Sequence, residues 1–144
     1  MSETNKSIVR RIFNDILNSR NRALVDDIYA PNYAYHGPGG LELRGREGFQ
    51  QLFDTYLTAF PDMTMTIDGM VAEGDTVVTC WTGRGTHRGE LNGIGPTGRA
   101  VIVTGIIVSR LENGQVVDER ESFDELSMLR QIGVTTLPAA AAAV

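Results

Sequence analysis

Cysteine is nearly absent: Cys80 stands alone among 144 residues, which excludes an intrachain disulfide framework and a thiolate cluster for zinc or iron–sulfur. A reducing, cytoplasmic setting is therefore expected. Histidine is almost as scarce, with two in all, and neither His36 nor His87 has a carboxylate at metal-ligand spacing, so no metal is predicted. There is no cluster of Lys and Arg, and a net charge of −5 with an isoelectric point near 5.0 supplies none of the phosphate neutralisation that nucleic acid requires. No stretch approaches the roughly 18 to 20 apolar residues that span a bilayer. The N-terminal region holds no apolar run of signal-peptide length, so neither membrane insertion nor export is expected. No Gly-x-Ser-x-Gly elbow, phosphate loop or dinucleotide fingerprint occurs, and no cofactor is predicted.

What remains is ordinary globular composition, 42% hydrophobic and 22% charged, in a length suited to one core. Apolar residues at Ile8, Ile12, Phe13, Ile16 and Leu17 mark one face of an opening helix. A second short helix is expected over Ala23 to Tyr29, ending ahead of Pro31. Asn32 to His36 reads as extended, and Gly37-Pro38-Gly39-Gly40 as a loop. Between Gly45 and Pro61, Phe49, Leu52, Phe53, Tyr56, Leu57 and Phe60 recur at offsets of three and four, the stripe of a third helix. Beyond Pro61 the period becomes two: Met63, Met65 and Ile67 alternate with polar residues. Strands follow from Thr76 to about His87, from Ala100 to Leu111 and from Gln115 to Phe123, the last two joined by an Asn113-Gly114 hairpin turn. Asp124 is placed to cap a short helix, Glu125 to Gln131, that Gly133 ends.

Helices followed by a run of strands predict an α+β domain, with helices packed on one face of a bent antiparallel sheet around a cone-shaped pocket. The domain is expected over residues 1–134, and 135–144 as a loose, Ala-rich tail. Along Val101 to Val108 both alternating sets are apolar, Val101, Val103 and Ile107 on one side and Ile102, Ile106 and Val108 on the other. Such a strand is covered on both faces, and a second copy of the sheet is the simplest cover, so a homodimer through the outer face is expected.

The segment Gly85-Thr86-His87-Arg88-Gly89-Glu90-Leu91-Asn92-Gly93-Ile94-Gly95-Pro96-Thr97-Gly98-Arg99 resembles the GTHxGxxxGxxPTGR segment of the SnoaL-like polyketide cyclases, a branch of the NTF2-like proteins. The Gly114 to Gly133 stretch, ending Leu129-Arg130-Gln131-Ile132-Gly133, is similar to theirs as well. The resemblance implies an NTF2-like curved sheet with three N-terminal helices and cofactor-independent closure of a ring in an aromatic polyketide ester by intramolecular aldol condensation. It implies an acid/base carboxylate on the last strand, where the family's aspartate matches Glu121. Glutamate keeps the function and adds one methylene. A further imidazole of the characterised cyclases matches an apolar position near Ile107, whereas the histidine of the shared segment is present as His87.

Alternation puts Val117, Glu119, Glu121 and Phe123 on one face of the last strand. Glu121 beside Phe123 suits a carboxyl in an apolar pocket, and Glu119 is expected to be structural or at the rim. Trp81 shares its face with Gly83, Gly85 and His87, leaving room for a flat ligand. Tyr35 and His36 stand before the glycine-rich loop as a candidate lid. Met65, Phe53 and Tyr56 can line an adaptable apolar cavity, or equally form plain core. Glu121 and His87 are thus the candidate catalytic pair, with Trp81, Phe123, Tyr35, His36, Met65, Phe53 and Tyr56 as candidate contacts for a small apolar carbonyl or aromatic ligand. Two alternatives stay open: binding of such a ligand without chemistry, and hydrolysis of an epoxide or ester on the same scaffold.

Overall fold

The computed structural model describes residues 2–136. The expected tail therefore lies almost wholly outside the described residues. Helix α1 (Ser2–Arg11) continues directly into a wider π-helical segment, Ile12–Asn18, which buries Ile12, Phe13 and Ile16. That segment is fastened to the sheet by Asn18, whose side-chain amide donates to the Met65 carbonyl (2.8 Å) and accepts from the Met65 N–H (2.7 Å), as a neighbouring strand would. A single 3₁₀ turn (Arg22–Leu24) leads into α2 (Val25–Ile28). Strand β1 (Tyr29–His36) begins earlier than the sequence suggested and contains Pro31, which the strand tolerates because its pairing with β6 is irregular between Tyr29 and Ala34. A 3₁₀ turn over Pro38–Gly40 precedes β2 (Glu42–Arg44), a three-residue edge strand too short to leave a period-two signature.

Helix α3 (Gly45–Ala59) sets Phe49 and Phe53 into the core, with Phe49 stacked on Tyr29 at a centroid distance of 4.3 Å. Strands β3 (Thr64–Glu73), β4 (Thr76–Thr86), β5 (Ala100–Glu112) and β6 (Gln115–Phe123) follow, then α4 (Glu125–Gln131). Asp124 caps α4 by accepting from the Ser127 N–H at 3.0 Å. The β5–β6 hairpin turns at Asn113 and Gly114, whose φ values of 51° and 78° are those the turn demands.

The strands form one six-stranded sheet in the order β2-β1-β6-β5-β4-β3. Every junction is antiparallel except β1–β6, which is parallel. The sheet is curved and unclosed, and the helices lie on its concave side, as the sequence led us to expect of an α+β chain. On β5 the two apolar sets part company: Val101, Val103 and Ile107 are buried, whereas Ile102 and Ile106 are 55% and 50% exposed in the single chain. Among the described residues no helix is long and apolar enough to cross a membrane.

Candidate functional site

The site grows from the end of β6, where Glu119, Glu121 and Phe123 face inward and Arg120 and Ser122 outward. Pairing carries each inward position across the sheet: Glu121 lies beside Ile107, and Ile107 beside Thr79, while Phe123 lies beside Gly105, and Gly105 beside Trp81. On the other side β1 runs parallel to β6, so equal spacings on the two strands repeat one contact. Tyr33 donates to Glu119 Oε1 at 2.8 Å, and two residues on, Tyr35 donates to Glu121 Oε1 at 2.5 Å. Glu119 has its second oxygen filled as well, by the Ser109 hydroxyl at 2.6 Å. It is buried among strands rather than at the rim, the less apt of the two positions expected for it.

Over this polar base the concave side encloses a cavity of about 140 Å³, about 780 Å³ when its open mouth is counted. A volume of the smaller size accommodates one aromatic ring. Its lining comes from the π-helical segment (Leu17), α3 (Phe49, Leu52, Phe53, Tyr56), the following turn (Phe60, Met63), β3 (Met65), β4 (Trp81, Gly83, Arg84, Gly85), β5 (Val101, Val103), β6 (Glu121, Phe123) and α4 (Met128). Glu121 is the carboxyl among them. Trp81 owes its place to Gly105: a Cβ there would meet the indole Cζ2 at 2.3 Å, so the ring lies directly on the glycine. Gly37 does the same for Tyr35, since a Cβ at 37 would come within 2.6 Å of the phenol ring.

Burial sets the electrostatics. The Glu121 carboxyl is pushed up to about 7, chiefly because a charge there loses its water. The charge of Glu119 adds to that rise, while the Tyr35 hydrogen bond and the nearby Trp81 indole oppose it. Although the indole N–H lies close enough to favour the anion, it is not aligned into a hydrogen bond, and Nε1 is buried without a partner. Glu119 is likewise pushed up to about 7 by burial, against the pull of Ser109 and Tyr33. The Tyr35 and Tyr56 phenols are held well above their ordinary range by burial and by facing carboxylates, so they remain protonated donors.

The structure brings six of the candidate residues, Glu121, Trp81, Phe123, Met65, Phe53 and Tyr56, to the wall of one cavity. Tyr35 does not line it but holds the carboxyl that does. His87 also lies off the wall, fully buried, with its ring 5.6 Å from that of Phe60. Its Nδ1 accepts from the Thr97 N–H (3.2 Å) and lies 3.0 Å from the Thr97 hydroxyl, leaving the proton to Nε2, which has no partner. With its backbone bonded to Arg99 and Gly98, His87 closes the loop between β4 and β5. His36 points to the other face of β1, where its nitrogens meet Glu42 (3.1 Å) and Asp118 (3.0 Å) and tie three strands together. Tyr33, Glu119, Ser109, Gly105 and Gly37 had not been singled out as site residues. The available signal was the matched spacing of two, Tyr33 to Tyr35 and Glu119 to Glu121. Among the described residues no group of three or more His, Cys, Asp or Glu side chains is placed to hold a metal ion.

A family model for SnoaL-like polyketide cyclases matches residues 7–132. No curated protein matches the chain. Among solved structures, IdmH, a candidate polyketide cyclase from Streptomyces antibioticus, is 32% identical, with 90% of this chain and 99% of that one covered and a TM-score of 0.79. A candidate SnoaL-like polyketide cyclase from Jannaschia sp. CCS1 shares the fold at 22% identity, over 94% of this chain and 95% of that one, with a TM-score of 0.87. AclR, a candidate hydroxylase from Streptomyces galilaeus, shares it at 22% identity, over 99% and 90%, with a TM-score of 0.83.

Proposed function

The chain belongs to the SnoaL-like polyketide cyclase family, and from that premise we propose that it is a cofactor-independent acid/base catalyst acting on a small apolar carbonyl compound, as in intramolecular aldol cyclisation. The observation that carries the reading is Glu121: a carboxyl at the wall of an apolar cavity, pushed up to about 7 by burial. A base works best when its proton affinity lies near the working pH.

The chemistry follows from what surrounds that carboxyl. Tyr35 occupies Oε1, which fixes the carboxyl plane and leaves Oε2 without a hydrogen-bond partner among the described residues. Oε2 takes a proton from the carbon next to a substrate carbonyl, the enolate attacks a second carbonyl of the same molecule, and the new alkoxide recovers a proton from Glu121. Trp81 and Phe123, with ring centroids 6.0 Å apart, pack on each other and together form one apolar side of the cavity, against which a flat ring would lie. In the same proposal the protein is a cytoplasmic homodimer joined through the outer sheet face. Hydrolysis of an epoxide or ester fits less well, because Arg120, the cation that adjoins Glu121 on β6, points away from it and lies 3.8 Å from Asp118.

Proton abstraction is measurable without the natural substrate. With an aromatic β-keto ester in D₂O, the protein is expected to speed exchange of the proton next to the carbonyl, and Glu121→Gln to lower that rate by about 10²-fold or more. Equal exchange by the two proteins would sink the proposal. Tight binding of the probe without exchange in either would favour the ligand-binding alternative, which the scarcity of polar groups in the cavity also suits.

A further inference from the structure

We infer that Glu119, behind the cavity wall, is a positioning residue that acts through Glu121: held by Tyr33 and Ser109, it ionises first of the two, which leaves the pair's last proton on the carboxyl that faces the ligand. The inference rests on the acid/base reading of Glu121 for its importance, though not for its test.

Glu119 is 4% exposed, and each of its oxygens accepts a hydroxyl proton, Oε1 from Tyr33 and Oε2 from Ser109. Hydrogen bonds donated to both oxygens favour the ionised form. Glu121 receives one such bond, from Tyr35, and otherwise borders the cavity. The groups facing the pair are Tyr29, Tyr33 and Tyr35 from β1, Tyr56 from α3, Ser109 from β5, Trp81 from β4 and the neighbouring Asp118 on β6. Not one is a cation; Arg84, which contributes to the cavity wall, is itself exposed and shifts neither carboxyl. Nothing therefore compensates a second negative charge, and residues two apart on one strand face lie about 7 Å from each other, close enough in a dry interior for one charge to oppose another. The electrostatics run the same way: the charge of Glu119 raises Glu121. Since Glu119 has the better anion site, it ionises ahead of Glu121, and Glu121, the last of the pair to lose its proton, is the carboxyl that gives up and recovers one near the working pH.

The test is a carbon-13 titration of carboxyl-labelled glutamates in the free protein, with Glu119→Gln and Glu121→Gln assigning the two signals. Glutamine suits position 119, because the Tyr33 and Ser109 hydroxyls can each donate or accept. In Glu119→Gln the Glu121 midpoint is expected to fall by about one pH unit, the scale of a coupled pair. In Glu121→Gln the Glu119 midpoint is expected to stay where it is, because Glu119 ionises while Glu121 still carries its proton and has no charge to oppose it. General loosening of the interior would lower the remaining midpoint in both variants, since burial is what raises each carboxyl. A Glu121 midpoint that stays put in Glu119→Gln, or a Glu119 midpoint that falls equally in Glu121→Gln, overturns the inference. If Glu119→Gln does not fold, Ser109→Ala removes one donor from Glu119 and is expected to raise the Glu119 midpoint toward that of Glu121; a Glu119 midpoint that stays put overturns it equally. The expected shifts in a protein that promotes no deuterium exchange would leave the pair intact and remove only the catalytic reading.

Discussion

At the scale of single residues, the smallest side chains hold the largest. Gly105 is the floor on which Trp81 lies, and a Cβ there would also meet that of Phe123 at 2.7 Å. Gly105→Ala is expected to push the indole into the cavity and destabilise the protein by about 1–3 kcal/mol, the usual range for overpacking a filled site. A denaturant midpoint read by tryptophan fluorescence checks this, and an unchanged midpoint and spectrum would mean that the ring does not rest there. Glu121, Trp81, Phe123, Met65, Phe53 and Tyr56 were legible in the sequence because periods of two and 3.6 assign them to inward faces without any knowledge of tertiary pairing. Tyr33 with Glu119, and Tyr35 with Glu121, were not, since each pair spans 86 residues and depends on which strands adjoin. His87 was legible as part of a motif, but the motif does not reveal that its ring turns toward Thr97 instead of the cavity.

At the scale of elements, strong periodicity was readable and short or irregular geometry was not. The stripe on α3, the alternation into β3, the Asn113-Gly114 turn and the Asp124 cap each have a local physical cause, and each stands where the sequence put it. The three-residue β2 and the π-helical continuation of α1 lack one, because neither leaves a distinct period. Strand β5 carries the prediction that belongs here. Its outward Ile102 and Ile106 are exposed large apolar residues on a sheet face, the surface that the proposed homodimer would cover. Ile106→Glu is expected to yield monomers in sedimentation velocity at concentrations where the unaltered protein is dimeric. An unaltered protein that sediments as a monomer throughout would dispose of the dimer.

At the scale of the whole molecule, two buried carboxyls without cations make stability depend on pH in an unusual direction. Both are pushed up to about 7 in the folded state, against about 4.3 for an ordinary glutamate. The folded chain therefore binds more protons than the unfolded chain between these values, and stability falls as pH rises through that window. Thermal unfolding followed by circular dichroism is expected to give a Tm that declines from pH 5 to pH 8. Glu119→Gln and Glu121→Gln should each flatten the slope. A Tm that rises over the same range would contradict the buried pair.

The parallel junction between β1 and β6 has a consequence for how the chain finds its native state. Because Tyr33–Glu119 and Tyr35–Glu121 are the same contact translated by two residues, sliding β1 by two residues along β6 would let one tyrosine find a wrong glutamate and would strand the others. The inward and outward faces would survive such a slip, so burial alone could not detect it. Two phenols and two carboxyls, arranged as graduations on facing strands, thus make a ruler, and a misthreaded sheet would be recognised by the carboxylate left dry and alone.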